Sequence, residues 1–533
     1  MTDRAGRREE DGDGAWRRAL RDIVREILQG GDVARVKKDV ARRYGLPRMP
    51  GNPEILGAAG GRRRQLEPLL RKKPVRTLSG IAVVAVMARP YPCPGECIYC
   101  PQGEDAPKSY TGLEPAAMRA MRLGYDPFLQ VRDRLTQLYQ TGHSVDKAEL
   151  IVMGGTFNSQ PRGYRRWFLR RCLDAMNSFD DRVEESGSLE EAQRRNEMAR
   201  VRNVGITLET RPDYCREEHI DEMLMLGVTR VELGVQSIKE GVYHRVKRGH
   251  TLGDVAKATQ LLRDAGLKVG YHMMPGLFAS PEEDLEQFRR LFSDPDYRPD
   301  FLKIYPALVL RGTGLYDLWR RGEYTPLDDG EALKLIVEIK RLLPKWVRVM
   351  RIQRDIPSQL IEAGVRKSDL GARVYSLVEG ECRCIRCREA GHRMRRGVQV
   401  DWGSVEVLWE SYEAASGVEH FISAEDVDHD ILLGYLRLRF PSPEAHRGEV
   451  DGETALVREL RVLGRALPLG LRSGEGEQHR GLGRMLLEEA EEKARENGYR
   501  RLLVTSAIGT RDYYRGLGYA RLGPYMVKLV GNR

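Results

Sequence analysis

Apolar residues follow three regimes along the chain. From Trp16 to Leu28, Trp16, Leu20, Val24 and Leu28 recur at every fourth position, and Ile23 and Ile27 widen the same face. That spacing predicts an amphipathic helix; Val33–Tyr44 predicts a second, ending at Gly45. Leu46-Pro-Arg-Met-Pro-Gly-Asn-Pro53 cannot stay helical and reads as a linker. From Thr77 onward short apolar runs alternate with helical stretches. Strands are expected at Ile81–Ala88, Ala148–Met153, Val204–Glu209, Arg230–Val235, Val269–Met274, Phe301–Tyr305 and Val347–Ile352, with helices at Pro127–Tyr139, Arg216–Leu226, Gly253–Ala265 and Pro281–Phe292. Such alternation predicts parallel strands, in a barrel or an open sheet. Ser178–Asn203 is highly charged and reads as a solvated helical insertion. Beyond Val398 the pattern becomes that of antiparallel strands, expected at Val405–Trp409, Ile431–Phe440 and Ala455–Val462. A helix at Met485–Asn497, a strand at Leu502–Ser506, a short helix at Arg511–Arg515 and a last strand at Tyr525–Leu529 complete it.

A length of 533 residues suggests two to four domains. The longest apolar run, Ile81–Ala88, is far short of a membrane span, and Met1–Gly14 lacks the apolar core of a signal peptide. A cytoplasmic protein with no membrane attachment is expected. Charge is unevenly placed: of a net +10, residues 1–76 carry +9 and the remainder +1. A local excess of this kind attracts polyanions, tRNA among them; the solvated surface of a charged helix is the plain alternative. The clusters Arg62, Arg63, Arg64 and Arg71, Lys72, Lys73 are the candidate phosphate contacts, and binding through them should weaken with salt.

Eight cysteines fall into two tight clusters plus Cys172 and Cys215, a distribution that favours metal or cluster binding over disulfides. Cys93, Cys97 and Cys100 are spaced C-x3-C-x2-C, and the next His and Cys, His143 and Cys172, are far away in sequence. Structural zinc is almost always four-coordinate, and clusters that only carry electrons normally use four thiolates. Three thiolates therefore suit a [4Fe–4S] cluster whose open iron binds a small molecule, such as the amino and carboxylate groups of S-adenosylmethionine. The second cluster, Cys382, Cys384 and Cys387, has His392 five residues on, so zinc fits; an auxiliary iron–sulfur cluster is the rival. Its place between two pattern regimes suggests a clamp.

Tyr91-Pro-Cys-Pro-Gly-Glu-Cys-Ile-Tyr-Cys-Pro101 resembles the radical-SAM signature, and the continuation to Arg119 resembles the catalytic subunit of Elongator, a family of tRNA-modifying enzymes. The run Gln478-His-Arg-Gly-Leu-Gly-Arg484 before a long helix resembles the GNAT acetyltransferase signature, in which Gly481 and Gly483 let backbone N–H groups approach the pyrophosphate of coenzyme A. The resemblance implies an α/β protein: a basic helical region over 1–76, a partial (β/α) radical-SAM barrel over 77–380, a Cys-rich linker over 381–397 and a GNAT-type acyl-CoA domain over 398–533. In such barrels function collects at the C-terminal ends of the strands. It implies S-adenosylmethionine held near Gly154 and Gly155 at its amino end, Glu209 at the ribose, and Arg211 and Gln236 elsewhere. It implies acetyl-CoA contacts at Lys147, Glu459, Leu460, Arg461, Val462, Gln478, Gly481, Leu482, Gly483, Arg484 and Tyr514, with Lys147, Tyr513 and Tyr514 as catalytic candidates. The short gap between the first two cysteines departs from eukaryotic members and implies a stand-alone bacterial or archaeal form without accessory subunits.

The implied reaction places a carboxymethyl group on carbon 5 of the wobble uridine (U34) of tRNA. A 5′-deoxyadenosyl radical takes hydrogen from the acetyl methyl of acetyl-CoA, the carbon radical adds to uracil, and water cleaves the thioester. An electron donor for the cluster is implied as well. The alternatives are a protein lysine acetyltransferase with a structural iron–sulfur barrel, and a non-enzymatic tRNA-binding scaffold.

Overall fold

The computed structural model describes residues 3–73, 77, 79–179, 184–464 and 481–531. The chain opens with helices α1 (Asp3–Leu28), α2 (Val33–Arg43), α3 (Asn52–Ala58) and α4 (Arg63–Leu70). The Asp32 carboxylate caps α2 by accepting from the Arg35 N–H at 2.9 Å, and Pro53 stands in the first turn of α3, where a missing N–H costs nothing. The apolar stripe read from the sequence becomes their common core: Ile23, Ile27, Val40, Ile55, Leu66 and Leu70.

Seven parallel strands follow in chain order: β1 (Ala82–Met87), β2 (Lys147–Met153), β3 (Arg202–Thr210), β4 (Arg230–Gln236), β5 (Lys268–Met273), β6 (Phe301–Ile304) and β7 (Arg348–Ile352). They form a partial barrel with β1 and β7 as its edges. Helices pack on the outer face, which is why several of these strands read as nearly unbroken apolar runs.

The charged insertion departs from its expectation as a solvated element. Its helix α5 (Leu189–Asn196) buries Leu189, Ala192, Gln193 and Asn196, and the stretch ends inside β3. Glu197, just beyond, receives Arg511 at 3.0 Å and Arg515 at 2.6 Å from the second domain. Charge here marks an interface rather than a solvent face.

Helix α6 (Asp329–Arg341) precedes the Cys-rich segment, and the short helix α7 (Ile385–Arg388) lies within it and carries Cys387. The second domain is a seven-stranded sheet of β8 (Val405–Ala414), β9 (Gly417–Asp426), β10 (Ile431–Phe440), β11 (Thr454–Val462), β12 (Arg501–Val504), β13 (Ala520–Leu522) and β14 (Tyr525–Leu529), in the order β8-β9-β10-β11-β12-β14-β13. Helix α8 (Leu482–Glu496) packs on it through Leu486, Leu487, Ala490 and Ala494. β9 is additional to the strands that the pattern predicts. It follows a tight turn in which Ala415 and Ser416 both have positive φ (48° and 60°), the geometry of a two-residue hairpin.

This sheet docks on the N-terminal rim of the barrel. Arg458 of β11 donates to both oxygens of Asp300 at 2.8 Å, to Glu419 at 2.7 Å and to the Leu267 carbonyl at 3.0 Å, all buried. Arg263 joins Glu419 at 2.9 Å, and Arg439 binds Asp264 at 2.6 Å. Pairing of opposite charges is what makes so many buried charges tolerable.

Candidate functional site

The cysteine loop hangs over the C-terminal ends of the barrel strands. Each thiol has a polar neighbour: the Gly95 N–H donates to Cys93 Sγ at 3.4 Å, Arg248 Nη1 to Cys97 Sγ at 3.2 Å, and Cys100 Sγ lies 3.1 Å from Ser109 Oγ. Lys108 Nζ holds the loop by donating to the Gly95 carbonyl at 2.9 Å. A Cβ at Gly95 would run into Arg211 Nη1 and displace that side chain. Arg211 clasps Asp213 through Nε and Nη2, both at 2.9 Å, while its buried Nη1 has no hydrogen-bond partner among the described residues.

Around the loop stand the other strand-end residues. Gly154 and Gly155 have φ of 123° and 81°, and a Cβ on Gly154 would crowd Ala88 at 3.3 Å. Gln236 ends β4 with φ of 70°, a conformation costly for a residue with a side chain and typical of functional sites. Its Oε1 is buried without a partner among the described residues, as are Thr210 Oγ1 and both ring nitrogens of His250. Burial, with Arg248 and Arg211 nearby, pushes His250 down to about 2, so its ring is neutral. Glu209 accepts from Tyr110 Oη and from Lys303 Nζ, each at 2.9 Å. Burial opposes its charge, but the Lys303 ammonium overrides this and holds the carboxyl below its ordinary range. Glu209, Glu232 and His272 are close enough to share a cation, yet Lys303 already bridges the two carboxylates. Three thiols on one cavity and a ring of orphaned polar atoms fit a cluster with a polar, amino-acid-bearing ligand.

A cavity of about 530 Å³ begins at Cys93, Cys97 and Cys100. It passes Glu209, Gln236 and Lys303 and reaches Glu149, Arg230 and Arg348 at the opposite rim. It ends on Arg461, Leu463 and Gly464, at the end of β11 in the second domain. β11 pairs with β12 only as far as Val457, so Arg458–Val462, which include Glu459, Leu460 and Arg461, have no strand partner on that side among the described residues. α8 begins at Gly481, whose φ of 85° suits glycine, and a Cβ on Gly483 would stand 3.0 Å from Tyr513 Oη. Leu482 is buried in the domain core and Arg484 pairs with Glu488 on the surface. Tyr513 is exposed beside this helix start, whereas Tyr514 is buried against Tyr519. Gln478 lies outside the described residues. Lys147 opens β2, at the end away from Gly154, and burial lowers its pKa; it does not line the cavity.

The second cysteine group is compact, the sulfurs of Cys382, Cys384 and Cys387 lying within 4.8 Å of one another. His392, expected as fourth ligand, is not with them. Its Nε2 is 3.0 Å from Glu389 Oε1, and both residues line the barrel cavity. Glu389 is itself held by Arg348. In the basic arm, Arg63 stacks on Tyr139 at 3.8 Å and pairs with Glu67 at 3.0 Å, and Arg71 donates to the Gly142 carbonyl at 2.9 Å. These two dock the arm on the barrel, while Arg62, Arg64, Lys72 and Lys73 are exposed. Sequence reasoning missed Arg248, Tyr110, Ser109 and Lys303. Arg248 sits in Arg245-Val-Lys-Arg-Gly-His250, a stretch that carries no motif to single it out.

Comparison with known proteins agrees with this geometry. Residues 91–292 match the Radical SAM superfamily, 299–381 the Radical_SAM C-terminal domain, and 395–519 the acetyltransferase (GNAT) family. The molecule is thus a radical-SAM barrel coupled to a GNAT domain, a class that implies S-adenosylmethionine, a [4Fe–4S] cluster and acetyl-CoA. Residues 16–78 match the ELP3 N-terminal domain. The chain is 52% identical over 495 residues to the tRNA uridine(34) acetyltransferase of Methanocaldococcus jannaschii, covering 90% of both chains. It is 44% identical over 536 residues to human Elongator complex protein 3, covering 96% of both. The solved structure of archaeal Methanocaldococcus infernus Elp3 with an N-terminal deletion (1–46) superposes with a TM-score of 0.76 at 48% identity, covering 85% of this chain and 100% of that one. The chain belongs to the Elongator complex protein 3 family. No helix among the described residues is long and apolar enough to cross a membrane.

Proposed function

We propose that this protein modifies the wobble uridine, U34, of tRNA by building a carboxymethyl group on carbon 5 from the acetyl group of acetyl-CoA. The observation that carries this reading is the single cavity with the three cysteines at one end and the tip of β11 at the other. When bound, the cluster with S-adenosylmethionine supplies one-electron chemistry able to draw hydrogen from an unactivated methyl, and acetyl-CoA supplies the two-carbon unit. The chain does the positioning. Arg248 and Ser109 stabilise charge on the thiolates. Glu209 accepts hydroxyl groups, while Arg211 Nη1 and Gln236 Oε1 offer one free donor and one free acceptor. The unpaired edge of β11 offers backbone groups to an amide-bearing arm, and the start of α8 favours its phosphates. Along the cavity wall Arg230 pairs with Glu149 and Lys303 with Glu209, so these charges are already balanced by protein partners. Bases of the anticodon loop are unpaired and suit insertion into such a pocket. An external donor supplies the electron, and the reaction is placed with tRNA in the cytoplasm.

The test uses oxygen-free, reduced protein. 5′-Deoxyadenosine should form only when acetyl-CoA and tRNA are both present, and modified uridine should accumulate. Cys97→Ala should lose the brown absorbance and the product while keeping coenzyme A binding. Acetylated peptide in place of modified tRNA would favour a lysine acetyltransferase and overturn the proposal.

A further inference from the structure

The geometry points to His272 as the general base that activates water to cleave the thioester, with Glu232 as the group that positions its ring. The inference rests on the proposed reaction: a carboxymethyl product requires that the acyl group, once its methyl carbon is bonded to uridine, be released from coenzyme A by water.

His272 stands on β5 and lines the cavity one inward-facing position below Met274, beside Lys303 on β6. Its Nε2 is 3.0 Å from Glu232 Oε2. Glu232 is 2% exposed and also takes the Lys303 ammonium and, at 3.4 Å, Arg230 Nε. Burial opposes the charge on Glu232, but Lys303, the His272 hydrogen bond and Arg230 override it and hold the carboxyl below its ordinary range. An ionised carboxylate can only accept, so the ring proton belongs on Nε2 and the lone pair on Nδ1. Nδ1 has no hydrogen-bond partner among the described residues, and the side chain, 14% exposed, opens to the cavity. Tyr305 meets the ring edge-to-face, with centroids 5.6 Å apart, and fixes its plane. A carboxylate behind an imidazole whose far nitrogen faces the reactants is the arrangement that general-base catalysis requires.

The cavity's other described carboxylates are engaged. Glu149 holds Arg230 at 2.6 Å, Glu209 holds Lys303 at 2.9 Å, Glu389 holds Arg348 at 2.5 Å, Asp355 holds Arg351, and Glu114 accepts from the Thr111 and Gly112 N–H groups. His392, also on the wall, pairs with Glu389 at the level of Arg348, the first residue of β7, near the rim where the second domain docks. Position separates the two histidines. The methyl carbon reacts at the cysteine end, and the carbonyl carbon is one bond away from it. A base for water at that carbonyl belongs near the end of β5, where His272 is, and not at the start of β7.

The step needs no further reagent. Water gives a proton to Nδ1 as its oxygen bonds to the carbonyl carbon. The C–S bond then breaks, and the imidazolium passes that proton to the coenzyme A thiolate. The acid so formed loses its own proton to solvent, leaving the carboxylate.

The experiment mixes oxygen-free, reduced full-length protein with S-adenosylmethionine, acetyl-CoA and tRNA, and reads nuclease digests by mass. The wild type should accumulate carboxymethyluridine. His272→Gln should form about one 5′-deoxyadenosine per chain and then stall, releasing coenzyme A at least about a hundred-fold more slowly, the scale of a lost general base. Its digest should contain uridine that still carries the coenzyme A thioester. Hydroxylamine, a nucleophile that needs no base, should discharge that species as the hydroxamate. Cluster absorbance and coenzyme A affinity check that the variant folds. Independently, nitrogen NMR of histidine-labelled wild type without cofactors should show His272 as the Nε2–H tautomer. Wild-type release of coenzyme A in His272→Gln, stalling in His392→Gln instead, loss of 5′-deoxyadenosine with no thioester adduct in a folded His272→Gln, or an Nδ1–H tautomer would each overturn the assignment and leave the tRNA reaction standing. A wild type that makes no modified uridine would overturn the reaction and the assignment together.

Discussion

Asp284 shows how a single buried group sets a pH dependence. It accepts from the Gly276 N–H at 2.6 Å and from Gln287 Nε2 at 3.0 Å, tying a helix to the Met274-Pro-Gly276 turn at the end of β5. Burial pushes its carboxyl up to about 7. An unfolded aspartate ionises near 4. Between these values the folded chain keeps a proton that the unfolded chain has released, so the group's contribution is full below about pH 4 and is lost as pH rises toward 7, by up to about 4 kcal/mol. Asp284→Asn removes that dependence. Its melting temperature relative to the wild type should rise between pH 5 and pH 8; a constant offset would show that Asp284 ionises normally. The residue scale is also where the sequence says least. Cys93, Cys97 and Cys100 announce themselves by spacing, but Arg248, some 150 positions from its thiol, has no local signature and is found only when β4 brings the two together. Lys303 is equally silent: a lysine inside an apolar strand reads as a solvated position until Glu209 and Glu232 appear opposite it.

Elements were easier to read, because periodicity is local and burial of both sheet faces leaves long apolar runs. All seven barrel strands stand where those runs predicted them, within a residue or two. β9 escaped because Glu419, His420, Glu425 and Asp426 interrupt its pattern, and all four are buried by partners from elsewhere. The insertion failed the same way: Glu197 looks solvated until Arg511 reaches it. The basic arm divides by the same logic. Arg63 and Arg71 are spent on docking to the barrel, so they are poor choices for testing RNA binding. Neutralising only the exposed Arg62, Arg64, Lys72 and Lys73 should weaken tRNA binding and reduce the slope of log affinity against log salt by about 3, at 0.7–0.9 per lost phosphate contact. Titration at several salt concentrations measures this, and an unchanged slope would assign the arm to packing alone.

At the scale of the molecule, the second domain closes the barrel at the rim opposite the cysteines, and the lumen joins the two. Strands averaging about six residues at about 3.3 Å per residue put roughly 20 Å between the rims, so reactants held at opposite ends meet only if something travels between them, and the interior is the direct path. If the lumen is that route, blocking it midway should uncouple the two halves without damaging either. Ile151 is half-buried in the middle of β2 and lines the cavity, as does Ala85 on β1. Ile151→Trp and Ala85→Phe add bulk into open space rather than into a filled core, so the overpacking cost should stay near the low end of about 1–3 kcal/mol. Both variants should keep the cluster spectrum, coenzyme A affinity and tRNA affinity of the wild type. Formation of modified uridine should fall by about a hundred-fold, the penalty for even small misplacement of reacting groups. Binding of S-adenosylmethionine at the cysteine end should not fall in parallel. A variant that blocks the lumen yet makes product at the wild-type rate would mean that the thioester reaches the reacting end around the outside of the barrel, and the shared cavity would lose its role.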